Sequence, residues 1–99
     1  MFSINNKTQI ICKTRKEALE VLDYIEKRHP EIRWHSGNKP TKWTHFVPPL
    51  SIVKTKGQRI GVGPYEPGDN IDIYITASEL LSGKSISISK TDLINFLGE

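Results

Sequence analysis

Between Thr14 and Pro30 the chain carries both the start and the stop of one helix, and every other element has to accommodate it. Thr14-Arg15-Lys16-Glu17 reads as a capping box, in which the Thr14 hydroxyl accepts from the Glu17 amide while the Glu17 carboxylate reaches back to the Thr14 amide. Ala18, Val21, Leu22 and Ile25 follow at i, i+3, i+4, i+7, so one stripe requires a core, and Lys16, Glu17, Glu20, Asp23 and Lys27 mark the wetter side. The helix ends near His29, because Pro30 supplies no helical amide and pushes the residue before it out of the helical region. A chain of 99 residues builds one core only, so residues 1–99 are read as a single domain assembled around this stripe.

The remaining signals are mostly those of strands. Gln9-Ile10-Ile11-Cys12 is a short β-branched run leading into the helix, and Glu31 to His35 alternates, with Ile32 and Trp34 on one face and Arg33 and His35 on the other. Residues 36–49 carry too many breakers for a regular element beyond a short strand at Thr44 to Val47, but Trp43 and Phe46 anchor them. Leu50 to Thr55 and Gln58 to Val62 flank Lys56-Gly57, the spacing of a hairpin. Residues 63–70 are turn chemistry, and Ile71, Ile73 and Ile75 then alternate as a further strand. Thr76-Ala77-Ser78-Glu79 repeats the capping box before a short helix that stops at Gly83, Ile86 and Ile88 alternate with serines, and Ser89 opens a terminal helix whose Leu93, Ile94 and Leu97 are expected to dock. The order β-α-β, loop, β-β-β-α-β-α predicts an α+β fold: a small, mainly antiparallel sheet with one long helix packed on a face and two short C-terminal helices.

Composition places the chain among ordinary globular proteins, with 36% hydrophobic and 25% charged residues. No apolar run reaches the roughly 18 residues of a membrane span, and the amino terminus lacks the apolar centre of a secretory signal, so a cytoplasmic protein is expected. The net charge of +3 is unevenly spread: residues 27–59 hold Lys27, Arg28, Arg33, Lys39, Lys42, Lys54, Lys56 and Arg59 against Glu31 alone, whereas residues 60–83 are purely acidic. Folded onto one face, the basic segment would attract phosphate, nucleic acid or an acidic protein surface.

Within that segment cations interleave with rings, in Arg33-Trp34-His35 and Lys42-Trp43-Thr44-His45-Phe46. Such mixtures stack bases and hold phosphates. Trp34 shares its strand face with Ile32 and is assigned to the core, which leaves Arg33, His35, Lys39, Lys42, Trp43, His45 and Arg59 as the candidate ligand- or partner-binding residues. No catalytic set emerges. His29, His35 and His45 have no metal-ligand spacing and no cluster to complete a shell, so no metal and no cofactor is expected. Cys12 reads as a small buried hydrophobe, and a single thiol forms no internal disulfide. Gly83-Lys84-Ser85 lacks the upstream glycine of a phosphate-binding loop, Gly61-Val62-Gly63 runs into Pro64 with no helix after it, and Asp69 and Asp72 serve a turn and a strand start.

The runs Ile11-Cys12-Lys13-Thr14, Glu17-Ala18, Val21 to Glu26, Trp34-His35-Ser36-Gly37 with Pro40-Thr41, and Ile75 to Leu81 resemble small uncharacterised proteins encoded by phages and prophages of Gram-positive bacteria. The segment from Ser85 to Glu99 departs from that pattern. The resemblance implies a phage accessory protein, of a kind that includes inhibitors of host defence, acting in the host cytoplasm. The expected function is therefore non-enzymatic: inhibition of a host factor by binding a protein or a nucleotide signal. The alternative is a nucleic-acid-binding accessory protein that uses the basic and aromatic segment 27–59. A homodimer is compatible with either, because short strands leave edges that pair.

Overall fold

A computed structural model describes residues 7–42, 45–54, 57–69, 71–83 and 88–98. Nine elements follow in order among them: β1 (Thr8–Cys12), α1 (Arg15–Arg28), β2 (Arg33–Trp34), a 3-10 turn (Pro40–Lys42), β3 (Leu50–Lys54), β4 (Arg59–Gly63), β5 (Ile73–Thr76), α2 (Ala77–Leu81) and α3 (Lys90–Leu97). The Thr14 capping box forms with both of its hydrogen bonds, and His29 closes α1 by donating its amide to the Ile25 carbonyl. Thr14→Ala removes the acceptor of the Glu17 amide and is expected to lower stability by about 1 kcal/mol, read as a shift of the urea midpoint at unchanged slope. Thr76 and Ser89 accept from the amides of Glu79 and Asp92 at the starts of α2 and α3, but the expected capping box at Thr76 is only half formed, because the Glu79 carboxylate accepts from the Thr76 hydroxyl and not from its amide.

The sheet is mixed, where the sequence predicts a mainly antiparallel one. Its order is β2-β4-β3-β1-β5, with β3 antiparallel to both β1 and β4, but β5 parallel to β1 and β2 parallel to β4. The cause is the kind of connection. β3 and β4 pair antiparallel across a short connection, with Lys54 opposite Ile60, one position off the register of the expected two-residue turn, and Gly57 between them takes a φ of 85°. The other two strands arrive by crossovers, which return the chain in its original direction. α1 carries the chain over one face from β1 to β2, and between β4 and β5 Pro64, Glu66 and Gly68 lie across the opposite face, so the parallel strands are added at the two edges. With 14 residues, α1 is a helix of ordinary length rather than a long one.

The stripe Ala18, Val21, Leu22 and Ile25 is fully buried against Ile10, Cys12, Leu50, Ile52, Ile60 and Ile75, and Ala77 and Leu80 of α2 complete this core. The other face of the sheet carries a smaller cluster, in which Ile11 and Tyr74 meet Leu93 of α3 with Tyr65, Ile71 and Phe96 around them. Leu93 docks as expected and Ile94 does not, being 54% exposed. Residues 45–47 form no strand, and β2 is only two residues long because the chain turns at once, Trp34 donating its amide to Asn38 and accepting from Gly37. Ile88 makes an isolated antiparallel bridge to Tyr74. The expected positions Thr44, Lys56 and Ile86, and Lys84 and Ser85 of the rejected phosphate loop, lie outside the described residues. Among the described residues no helix is long and apolar enough to cross a membrane.

Candidate functional site

Alternation along β2 and β4 decides which side chains meet. Trp34 pairs with Ile60 on the α1 side, whereas Arg33 pairs with Arg59 on the opposite side. Trp34 is 3% exposed and its indole Nε1 donates to the Pro40 carbonyl at 2.8 Å, so the ring is core, as read from its neighbour Ile32. Arg33 is half-buried and Arg59 exposed, and no acidic side chain among the described residues pairs with either. Arg59 Nη1 donates only to the neighbouring Gln58 carbonyl, at 3.2 Å.

His35 continues on the arginine side and lies over Gly61. A Cβ at position 61 would stand 3.1 Å from the imidazole Cδ2, so glycine provides the floor on which the ring rests. Beyond Ile60 the chain of β2 has turned away, and the edge of β4 opens into a slot of about 400 Å³ lined by Trp34, His35, Ser36, Asn38, Ile60, Gly61 and Val62. Its apolar wall includes Val62, which is 44% exposed on the α1 side of the sheet. Only the glycines on either side of Val62 hint at this slot in the sequence, since glycine inside a strand marks a close approach.

The other expected binding residues fall elsewhere. Lys39 and Lys42 bracket the 3-10 turn, whose Thr41 donates to Glu26 of α1 from Oγ1 at 2.8 Å and from its amide at 3.3 Å. These bonds hold the Glu26 carboxyl below the usual carboxylate range, with Lys39 and Lys42 adding to the effect. His45 is exposed beside buried Phe46, whose ring lies under the Arg15 guanidinium at 5.3 Å and whose carbonyl accepts from Arg15 Nη1 at 3.2 Å. Trp43 lies outside the described residues. The structure thus brings Arg33, His35 and Arg59 to neighbouring strands, while Lys39 and Lys42 lie at the 3-10 turn and His45 beside Phe46.

The remaining groups with catalytic chemistry form no catalytic set among the described residues. Cys12 is buried, and burial with the Glu17 charge pushes its thiol up to about 12, so it stays protonated at neutral pH. His29 sits at the end of α1 with Nδ1 4.0 Å from Glu31 Oε1. Lys54 is buried and donates from Nζ to the Gly57 carbonyl at 2.6 Å; burial draws its ammonium below the usual lysine range, with Glu31 opposing. Among the described residues no group of three or more histidine, cysteine or acidic side chains could hold a metal ion. Comparisons with family models, curated proteins and solved structures find no match for the chain.

Proposed function

We propose that the chain is a non-enzymatic binding protein that acts by occupying its partner, as phage accessory inhibitors of host factors do, and that the Arg33–Arg59 end of the sheet is its binding surface. The supporting observation is that Arg33 and Arg59 are register partners on neighbouring strands, without an acidic side chain paired to either among the described residues. Like charges held on neighbouring strands repel, so the pair is costly to the isolated domain. A carboxylate or phosphate relieves it through forked, charge-assisted hydrogen bonds. A protonated, buried Cys12 and histidines on separate elements favour binding over turnover. The nucleic-acid reading uses the same arginines but needs a continuous basic track, and the carboxylate of Glu26, bonded to Thr41 between Lys39 and Lys42, interrupts the positive charge there.

The test is amide NMR with three anionic probes: a short oligoglutamate peptide, a nucleoside triphosphate and a single-stranded oligonucleotide. Shifts should cluster at Arg33, His35 and Arg59, and the probe should be recovered chemically unchanged. Arg59→Thr should weaken binding by about 1.5–3 kcal/mol while leaving the fold as stable or slightly more so. Shifts confined to Lys39, Lys42 and α1, or absent with every probe, would remove this surface from consideration.

A further inference from the structure

We infer that the ligand of this surface is an extended acidic peptide that adds as a strand to the open edge of β4, with acidic residues alternating with apolar ones; the inference rests on the binding role proposed for Arg33 and Arg59. β2 covers only the first part of that edge. Arg33 donates its amide to the Gln58 carbonyl and His35 to the Ile60 carbonyl, each at 3.1 Å. The period of two turns the amide and carbonyl of Val62 in the same outward direction, and among the described residues no strand pairs with them. An added strand would find both main-chain groups at the mouth of the slot.

Such a strand presents alternate side chains to the two faces of the sheet. On the α1 side they meet the apolar wall of Ile60, Trp34 and Val62, in a slot large enough to enclose side chains. On the other side they meet Arg33, Arg59 and the face of His35 over Gly61. The alternation of the partner is therefore dictated by the site: apolar toward Val62, acidic toward the arginines. Charge chooses this occupant over a second copy of the chain, because a copy paired through β4 brings further arginines to the same edge. A nucleic acid would satisfy the arginines but not the Val62 main chain or the apolar slot.

The experiment compares an alternating glutamate–valine peptide with a block peptide of the same composition, with the alternating peptide N-methylated at every second residue, and with an oligonucleotide, by titration calorimetry. The alternating peptide should bind at least about tenfold more tightly than the block or N-methylated ones, a difference equivalent to one or two net hydrogen bonds. Val62→Pro, which removes an outward donor at a tolerated edge position, should abolish that advantage, with circular dichroism confirming the fold. The N-methylated peptide gives the same information if the variant does not fold. Equal affinity for alternating and block peptides would overturn strand addition and leave the anion-binding role intact. Binding of the oligonucleotide alone would overturn the peptide and assign the arginines to phosphates, and binding of no probe would overturn both readings. A dimer that Val62→Pro dissociates would assign the edge to a second copy and likewise overturn the peptide.

Discussion

Trp34→Ala is expected to destabilise the domain by about 3–5 kcal/mol, the range for deleting a large buried ring. Trp34 sits on the two-residue strand β2, closes the core beside Ile60, and ties the following turn to itself through the Nε1 bond to the Pro40 carbonyl. Truncation thus opens a cavity and orphans a buried carbonyl at the same time. Domains of this size are stable by about 5–15 kcal/mol, so a fifth or more of the total is at stake, and the melting temperature should fall by on the order of 20 °C. Trp34→Phe separates the two contributions, since it fills much of the volume but cannot donate to Pro40. A loss under about 1 kcal/mol for Trp34→Ala would place the ring outside the core.

Trp34 also marks how far the sequence is legible. Its place follows from alternation with Ile32, just as α1 follows from Thr14, Glu17 and Pro30, because local spacing and capping carry that information. Strand direction is not local. Whether Ile73 to Thr76 runs parallel or antiparallel to β1 depends on whether the chain after β4 crosses the sheet or turns straight back, and a mainly antiparallel expectation treats that turn-rich stretch as though it were a hairpin. The binding surface divides along the same line. Arg33 and Arg59 lie 26 positions apart in the chain and become neighbours only through β2–β4 pairing, whereas Lys39 and Lys42, nearer in sequence to Arg33, flank Thr41, which is bonded to Glu26. Ile94 reads as a docking residue by composition, yet α3 is anchored chiefly through Leu93, with Phe96 and Leu97 beside it.

Gln9 carries the feature that composition hides most completely. In a strand reading it is the polar partner of Ile10 and belongs on a wet face, but it is buried. Its Nε2 donates to Ser51 Oγ at 2.9 Å and to the Glu66 carbonyl at 2.7 Å, and its Oε1 accepts from the Gly68 amide at 2.8 Å. Ser51 Oγ passes a further bond to the Pro64 carbonyl, and Tyr74 Oη donates to the Gly68 carbonyl, each at 2.8 Å. Three adjacent strands thus offer a row of polar side chains to the main chain of residues 64–68, and this row holds the crossover against the sheet. Gln9→Leu keeps a comparable volume but deprives the Glu66 carbonyl and the Gly68 amide of their partners, at about 1–3 kcal/mol for each group left unsatisfied. The expected loss is about 2–4 kcal/mol in urea unfolding, with faster hydrogen exchange at Gly68 than elsewhere in the sheet. Gln9→Glu should lie between the two, since its carboxylate still accepts from Gly68 but donates to neither Ser51 nor Glu66. A neutral or stabilising Gln9→Leu would mean that Tyr65 and Ile71 hold the crossover by apolar contact alone, and that the polar row follows the path of the chain instead of setting it.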